Sequence, residues 1–387
     1  MCELTLPYWP ATMRPNLKEL PTAEIDAWLG DRGEPGFRAR QIRRWLFQRG
    51  ATSFAEMSDL SKQLRDTLAG EFEIGRPEVA RRSVSVDGTR KFLFQLGDGA
   101  QIESVVIPMG LAETTNGRRS GSLDSSPVRR RPSEGEPRLT LCISSQAGCA
   151  MGCSFCATAT IGLRRNLTAV EIVDQVLEAR RDLLEAAGAL PAGHEPIQNL
   201  VFMGMGEPLH NYDEVVRSIG ILTAEWGPGF SPRRITVSTV GLVPQMKRLL
   251  EDTGVNLAVS LSATTDAVRS RLMPVNRMYP LEVLAAACRE LPLPRRKRIT
   301  FEYVMLAGEN DSREDARRLA TLLRGVPSKV NLIPFNPFPG SSFSSTGRPD
   351  IEAFREVLLR HGLHATVRES RGRDIQAACG QLAAAAA

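Results

Sequence analysis

"CISSQAGCAMGCSFCATATIG", residues 142–162, is the segment on which the interpretation of this chain depends. It contains four of the seven cysteines: Cys149, Cys153 and Cys156 in C-x3-C-x2-C spacing, and Cys142 seven residues earlier. Where thiols are kept reduced, clustered cysteines are more often metal ligands or catalysts than disulfide halves, and the odd total argues against full pairing. The motif therefore predicts either a zinc site with Cys142 as fourth ligand, or an iron–sulfur cluster with one open iron.

Composition places the chain among soluble globular proteins. It has 387 residues, of which 42% are hydrophobic and 24% charged, and this length suits a large α/β domain with accessory modules. The N-terminus lacks the pattern of a secretory signal, and no apolar run approaches the roughly 18 residues of a membrane span. We expect a cytoplasmic monomer with no membrane partner.

The first third of the chain divides into three parts. Residues 1–80 show amphipathic helical periodicity and predict a small helical module. Its basic character suits a role in RNA binding. Residues 81–108 alternate β-forming residues around Asp87-Gly88 and Asp98-Gly99, which predicts a short antiparallel meander. Residues 109–137 are rich in Ser, Gly, Pro and Arg and predict a flexible basic insertion.

The remaining chain alternates strand and helix. Residues 138–376 read as repeated βα units, which predicts a parallel sheet in a barrel or a doubly wound fold. The first βα loop carries the cysteines, and in a barrel that loop lies at the carboxyl end of the strands, where the chemistry collects. Residues 377–387 form a C-terminal loop with Cys379 and an alanine-rich tail.

Arginine-rich clusters account for the net charge of +5. Arginine suits contacts with phosphate and RNA, although each cluster could equally be a solvated face. In residues 37–49 the helical spacing puts Phe37, Ile42, Trp45 and Leu46 on one face and the arginines on the other. The clusters lie at Arg38, Arg40, Arg43 and Arg44, at residues 129–131, at Arg164 and Arg165, at Arg233 and Arg234, and at residues 294–298.

A second motif, "FMGMGEPLHN" at 202–211, follows the next predicted strand. Its glycines let the backbone approach a ligand closely, and Glu207 could accept from a ligand ammonium group. The cysteine motif and this loop together resemble the radical S-adenosylmethionine (SAM) superfamily. The resemblance implies an incomplete (β/α)6 barrel, a [4Fe-4S] cluster on the three spaced cysteines, and SAM bound to the open iron.

Further motifs narrow the resemblance. "RRITVSTVGLVP", "NLAVSLSA", "MPVN", "NLIPFNPFPG" and "RDIQAACGQL" look like the RlmN/Cfr family of radical SAM RNA adenine methyltransferases, over nearly the whole chain apart from the insertion and the tail. The family implies 23S rRNA as substrate, certain tRNAs as a second one, and flavodoxin with its reductase as electron donor. Methylation at C2 of the adenine is favoured over methylation at C8. The alternative from another functional class is a non-catalytic, metal-stabilised RNA-binding protein.

The resemblance also implies roles for two further cysteines and a carboxylate. One SAM methylates Cys379; a second gives a 5′-deoxyadenosyl radical that removes hydrogen from that methyl group, and the resulting carbon radical adds to the adenine. Cys142 then resolves the adduct, and a Cys142–Cys379 disulfide forms. Glu103 matches a proposed proton acceptor. The alternatives without a catalytic role are that Cys142 is a buried strand cysteine, Cys379 an incidental cysteine of the tail, and Glu103 a solvated residue of the meander.

The remaining residues match SAM-contacting positions of the family, and each could instead make local backbone hydrogen bonds. Ser262 departs from the pattern because the family usually has histidine there, which puts that contact in doubt. The expected SAM-binding residues are Gly206, Glu207, Ser238, Ser260, Ser262 and Asn336.

Overall fold

The computed structural model describes residues 14–109, 138–188 and 195–383. The predicted basic insertion, apart from Met109, and its arginine cluster at 129–131 lie outside these ranges. The last four residues of the alanine-rich tail do so as well.

The N-terminal part is helical, as predicted. It contains α1 (Thr22–Gly30), α2 (Phe37–Arg43), which continues as a wider π-helical stretch over Arg44–Arg49, and α3 (Lys62–Glu71). A buried ion pair of 2.7 Å between Lys18 and Asp174 ties this part to the α/β region.

The apolar face predicted for residues 37–49 is only partly correct. Ile42 and Leu46 are fully buried, and Trp45 packs against the core. Phe37 is 58% exposed, and the Arg38 guanidinium lies 5.0 Å from its ring centroid. Phe37 is the first residue of α2, and this end of the helix lies outside the core. Helical periodicity does not show where along a helix the core ends.

The antiparallel meander is present and begins at Glu78. Its strands are β1 (Glu78–Val84), β2 (Arg90–Gln95) and β3 (Gln101–Met109). The turn glycines have φ of 81° at Gly88 and 79° at Gly99, in the left-handed region that favours glycine. β3 also pairs antiparallel with the first strand of the α/β region, so the meander extends the main sheet.

The α/β region forms the predicted incomplete barrel. Its strands are β4 (Arg138–Cys142), β5 (Gln146–Gly148), β6 (Leu163–Asn166), β7 (Ile197–Phe202), β8 (Ile235–Thr239), β9 (Asn256–Ser260), β10 (Ile299–Met305), β11 (Ser328–Pro334) and β12 (Ala365–Val367). Strands β4 and β7 to β12 are parallel neighbours in that order, with β12 as a short addition to the six longer strands.

Helices cover the outside of this sheet. They are α4 (Ala157–Thr160), α5 (Ala169–Ala187), α6 (Tyr212–Thr223), α7 (Val243–Thr253), α8 (Asp266–Leu272), α9 (Leu281–Glu290), α10 (Arg313–Leu322) and α11 (Arg348–Arg360). Across the ranges given above, none of the helices combines the length and apolar character needed to cross a membrane.

Alternation along the strands creates an inner and an outer face. In β10, Phe301, Tyr303 and Met305 are at most 1% exposed and belong to the hydrophobic core. Thr300 and Glu302, on the opposite face, line an internal cavity. The sheet thus leaves a polar interior open to a ligand.

Two of the predicted basic clusters contain arginines that are committed to the fold. Arg43 is buried, donates to the Leu20 carbonyl at 3.0 Å and lies over the ring of Trp226. Arg165 forms ion pairs with Asp98 and Glu171. These two guanidiniums are not free for RNA.

Candidate active site

The three spaced cysteines lie on the loop of a two-stranded hairpin. β5 pairs with β6, and the Cys149 amide donates to the Gly162 carbonyl at 3.0 Å, which closes the loop. Gly148 has φ of 80°, and a Cβ there would lie 1.8 Å from the same carbonyl oxygen. Glycine is therefore required where the hairpin enters the cysteine loop.

The loop thiols share one electrostatic environment. Burial raises the pKa of Cys149 to about 11, and burial raises the pKa values of Cys153 and Cys156 as well. Each thiolate would raise the pKa of its neighbours further, so three thiolates require a cationic group beside them.

This donor set fits a [4Fe-4S] cluster. In a cubane each thiolate binds a different iron, so the sulfurs need not converge on one point. Within the described residues, no group of three or more His, Cys, Asp or Glu side chains is arranged to hold one metal ion. Three ligands leave one iron for another molecule.

The glycine-rich loop packs directly against the cysteine hairpin. Gly206 has φ of 100°, and a Cβ there would lie 2.6 Å from the Cβ of Gln146. The Glu207 amide donates to Gln146 Oε1 at 2.8 Å. Sequence reasoning overlooked Gln146, which joins the two motifs; its position four residues after Cys142 was the available signal.

Glu207 is a buried carboxylate held by backbone amides. Oε1 accepts from the Leu209 amide at 3.0 Å and Oε2 from the Val240 amide at 2.8 Å. Burial nevertheless raises the pKa of Glu207 to about 7. A carboxylate oxygen can accept more than one hydrogen bond, so both retain capacity for a ligand donor.

The three predicted serines lie at or just beyond the carboxyl ends of β8 and β9. Ser238 and Ser260 are half-buried. Ser262 is fully buried with φ of 49°, and its hydroxyl accepts from the Val304 amide at 3.2 Å. The hydroxyl that replaces the family histidine thus has a structural partner.

A buried arginine, which the sequence did not reveal as a site residue, fixes these strand ends. Arg269 donates to the carbonyls of Val240 at 2.8 Å, and of Ser260 and Leu261 at 3.2 Å each. It also donates to Asn276 of the "MPVN" motif at 3.1 Å. The sequence offered no signal for it, because α8 contains a second basic residue, Arg271, and Arg269 stands in no motif.

The C-terminal segment lies over the cysteine loop. The Ala157 amide donates to the Gly380 carbonyl at 2.8 Å, and the Thr158 hydroxyl donates to the Leu382 carbonyl at 2.5 Å. Asn336 Nδ2 donates to the Cys379 carbonyl at 3.3 Å. Asn336 thus contacts the segment that carries Cys379.

Cys142 and Cys379 line one internal cavity of about 530 Å³. Both are free thiols, Cys142 buried at the end of β4 and Cys379 half-buried. Burial and, to a smaller extent, the nearby Cys379 raise the pKa of Cys142 to about 12, while Arg368 opposes the shift. Cys142 is therefore a neutral thiol at pH 7.

Glu103 is buried and binds the C-terminal segment. Its carboxylate forms a 3.1 Å ion pair with Lys91 and accepts from the Ala383 amide at 3.0 Å. Lys91 also donates to the Gln376 carbonyl at 3.2 Å. The pair therefore holds the segment on both sides of Cys379, and a solvated position for Glu103 is wrong.

Comparisons with known proteins agree with this architecture. The family described as the ribosomal RNA large subunit methyltransferase N-terminal domain matches residues 15–74, and the radical SAM superfamily matches residues 143–320. A [4Fe-4S] cluster and SAM are the cofactors of that superfamily, and the three cysteines of the hairpin loop lie within the matched residues.

Named relatives cover almost the whole chain. The dual-specificity RNA methyltransferase RlmN of Geobacter sulfurreducens is 49% identical over 95% of this chain and 91% of its own. The protein of that name from Anaeromyxobacter dehalogenans is 49% identical over 96% and 92%. The crystal structure of a radical SAM methyltransferase from Sphaerobacter thermophilus matches with a TM-score of 0.82 and 43% identity, over 96% of this chain and all of that one. This chain belongs to the RlmN family of radical SAM RNA methyltransferases.

Proposed function

We propose that this enzyme methylates C2 of an adenine in 23S rRNA, and of an adenine in tRNA, through a methylated Cys379, with two SAM molecules consumed per methylation. The observation that carries the proposal is the shared cavity of Cys142 and Cys379, which lie far apart in the sequence. The name dual-specificity RNA methyltransferase, borne by its relatives, supports two RNA substrates.

The chemistry of adenine explains the need for two cysteines. C2 is electron-poor and carries no acidic proton, so polar methyl transfer to it is not feasible. When bound, the cluster and SAM supply the radical that removes hydrogen from the methyl group on Cys379. Cys379 thereby delivers a CH2 group to C2. The adduct then loses one electron, which the cluster would accept when bound, and Glu103 takes the proton that C2 loses. Cys142 attacks the Cys379 sulfur, so an S–S bond forms as the C–S bond breaks. The released carbon takes up the Cys142 thiol proton and leaves as the methyl group of the base.

We assign the cofactor contacts to the carboxyl ends of the strands. Cys149, Cys153 and Cys156 would hold the cluster. SAM would lie against the glycine-rich loop and the ends of β8, β9 and β11, which meet at one edge of the barrel. Its contacts would be Gly206, Glu207, Ser238, Ser260, Ser262 and Asn336.

The setting follows from this reaction. We expect a cytoplasmic monomer that receives electrons from flavodoxin and its reductase. Methylation of C8 by the same machinery is the second candidate position. A non-catalytic RNA-binding protein would tolerate loss of Cys379.

The test is anaerobic loading with iron and sulfide, followed by turnover with SAM and a 23S rRNA fragment. Mass spectrometry of the nucleosides distinguishes 2-methyladenosine, the expected product, from 8-methyladenosine, which would overturn the position. Cys379→Ala should abolish product, and Cys142→Ala should accumulate a covalent protein–RNA adduct. A loaded enzyme that cleaves SAM without methylating RNA would refute the substrate.

A further inference from the structure

Several charged side chains line the cavity that contains Cys142 and Cys379, and the reaction above gives no role to Glu302 and Arg368 among them. Glu302 projects from β10 and Arg368 follows β12, and both line the cavity. Its volume of about 530 Å³ lies within the roughly 300–1,000 Å³ typical of small-ligand pockets. A nucleobase that has left its stack can therefore be accommodated.

Glu302 has one oxygen bound and one oxygen unpaired. Oε1 accepts from Asn331 Nδ2 at 3.0 Å, and the Thr366 hydroxyl fixes that amide by donating to Asn331 Oδ1 at 2.7 Å. Oε2 is buried with no hydrogen-bond partner among the described residues. A buried acceptor without a donor costs about 1–3 kcal/mol, so a donor from the substrate would relieve an existing penalty.

Arg368 lines the same cavity without forming a direct contact with the Glu302 carboxylate. Its guanidinium contacts the Met203 sulfur at 3.7 Å, and within the described chain it forms no ion pair with Glu302. Its charge acts on Glu302 and on both cavity thiols, Cys379 most strongly. The cavity therefore presents an acceptor, a donor and a reactive sulfur.

The edge of adenine presents the complementary groups. The 6-amino group donates, the adjacent N1 accepts, and C2–H comes next; on the other side the order is 6-amino, N7 and C8–H. Guanine has an accepting O6 in place of the amino group and a hydrogen on N1, so it would set an acceptor against Glu302 and a donor against Arg368.

We propose that Glu302 and Arg368 recognise the target adenine: Glu302 accepts from the 6-amino group, and Arg368 donates to N1, which sets C2 beside Cys379. This assignment rests on the proposed C2 methylation. Oε2 is covered by its surroundings, so we expect the Glu302 side chain to turn toward the cavity as the base enters. The same pair would fit the N7–C8 side if the base were turned over.

The first test removes the 6-amino group of the target adenine and the carboxylate of Glu302, separately and together. Wild type and Glu302→Gln are each assayed on a 23S rRNA fragment with adenosine or purine riboside, which lacks the amino group, at the target. Asn331 should keep the glutamine oxygen toward itself and leave an NH2 facing the substrate amine. A charge-assisted hydrogen bond of this kind predicts a loss in kcat/KM of about 10- to 100-fold on adenosine.

The two changes should not be additive. On purine riboside, Glu302→Gln should cost less than about threefold, since the contact is already gone. The matched control is Glu369→Gln, which removes an exposed carboxylate lining the same cavity and should cost the same on both substrates. The role of Glu302 would be overturned if Glu302→Gln lowered kcat/KM equally on adenosine and on purine riboside. It would also be overturned if the variant raised the KM for SAM and left kcat/KM for the RNA unchanged.

The second test addresses the ring nitrogen. 1-Deazaadenosine should lose about 10- to 100-fold in kcat/KM, 7-deazaadenosine should be nearly normal, and Arg368→Met should add little to the 1-deaza loss. A loss confined to 7-deazaadenosine would overturn the N1 contact. If the wild-type enzyme cleaves SAM but makes no methyladenosine, the proposed function fails. If it makes 2-methyladenosine, but the effects of variant and substrate analogue are additive in both tests, only this inference fails.

Discussion

The Lys91–Glu103 pair should control how firmly the Cys379 segment is held. Replacing Lys91 with methionine leaves Glu103 buried without its cation and removes the donor to the Gln376 carbonyl. The side chains are 14% and 5% exposed. Breaking a fully buried pair costs about 3–5 kcal/mol, and the partial exposure of Lys91 reduces this to about 2–3 kcal/mol.

The lost free energy should favour local opening of the segment that carries Cys379 over its closed state. At about 1.4 kcal/mol per factor of ten, the open population should rise about 30- to 150-fold. Hydrogen exchange of the backbone amides at 376–383, followed by mass spectrometry, measures it directly. The matched control is Lys247→Met, which removes a 4.0 Å surface pair with Glu251 and should leave exchange at 376–383 unchanged.

The same variant separates two roles of Glu103. If Glu103 acts by holding the segment, Lys91→Met and Glu103→Gln should both lower RNA methylation in parallel with faster exchange. If Glu103 acts as proton acceptor alone, Glu103→Gln should abolish product while Lys91→Met remains active. Wild-type exchange at 376–383 in both variants would refute the reasoning, since neither side chain would then restrain the segment.

Three further predictions concern the edge of the barrel to which we assign SAM binding. Burial raises the pKa of Glu207 to about 7, well above its value in an unfolded chain, so ionisation of Glu207 destabilises the fold. The free energy of unfolding of the cluster-free protein should therefore fall by up to about 3 kcal/mol from pH 5 to 8, relative to Glu207→Gln. Urea titration measures this difference. Gly206→Ala should lower the melting temperature and prevent SAM binding, because its Cβ would lie 2.6 Å from Gln146; Gly97→Ala, with nothing within 4 Å, is the control. Ser262→Ala should cost about 1–3 kcal/mol of stability by leaving the Val304 amide unpaired, and calorimetry with SAM will show whether the hydroxyl also binds the cofactor: an unchanged Kd would rule out that contact.

Local patterns were sufficient for most of the fold. The Asp-Gly dipeptides predicted the two turns of the meander because only a few residue types tolerate the left-handed backbone found at Gly88 and Gly99. The βα alternation predicted the parallel strands because each strand is an apolar run between amphipathic helices. Pairing of β3 with β4 could not be foreseen, since the insertion separates them and strand pairing is a long-range property.

The site was predictable where its residues are contiguous and not where contacts are long-range. Three cysteines within eight residues define a loop whatever surrounds them. Arg269, Arg368 and Glu302 carry no local motif, and their importance arises from strand ends and a cavity that exist only after folding. Ser262 shows the limit of motif matching: its hydroxyl bonds to an amide 42 residues away.

The meander is best understood as part of the catalytic apparatus. Its first turn binds the chain ahead of Cys379, with the Ser85 hydroxyl donating to Asp374 at 2.6 Å and Asp87 accepting from the Gly372 amide at 3.0 Å. β2 and β3 then hold the residues on either side of Cys379 through the Lys91–Glu103 pair. In the proposed mechanism Cys379 is methylated, delivers carbon to RNA and meets Cys142, which requires a segment that can move and return to one place. Polar contacts to a sheet continuous with the barrel satisfy both needs, because each can break singly while the strands stay in register.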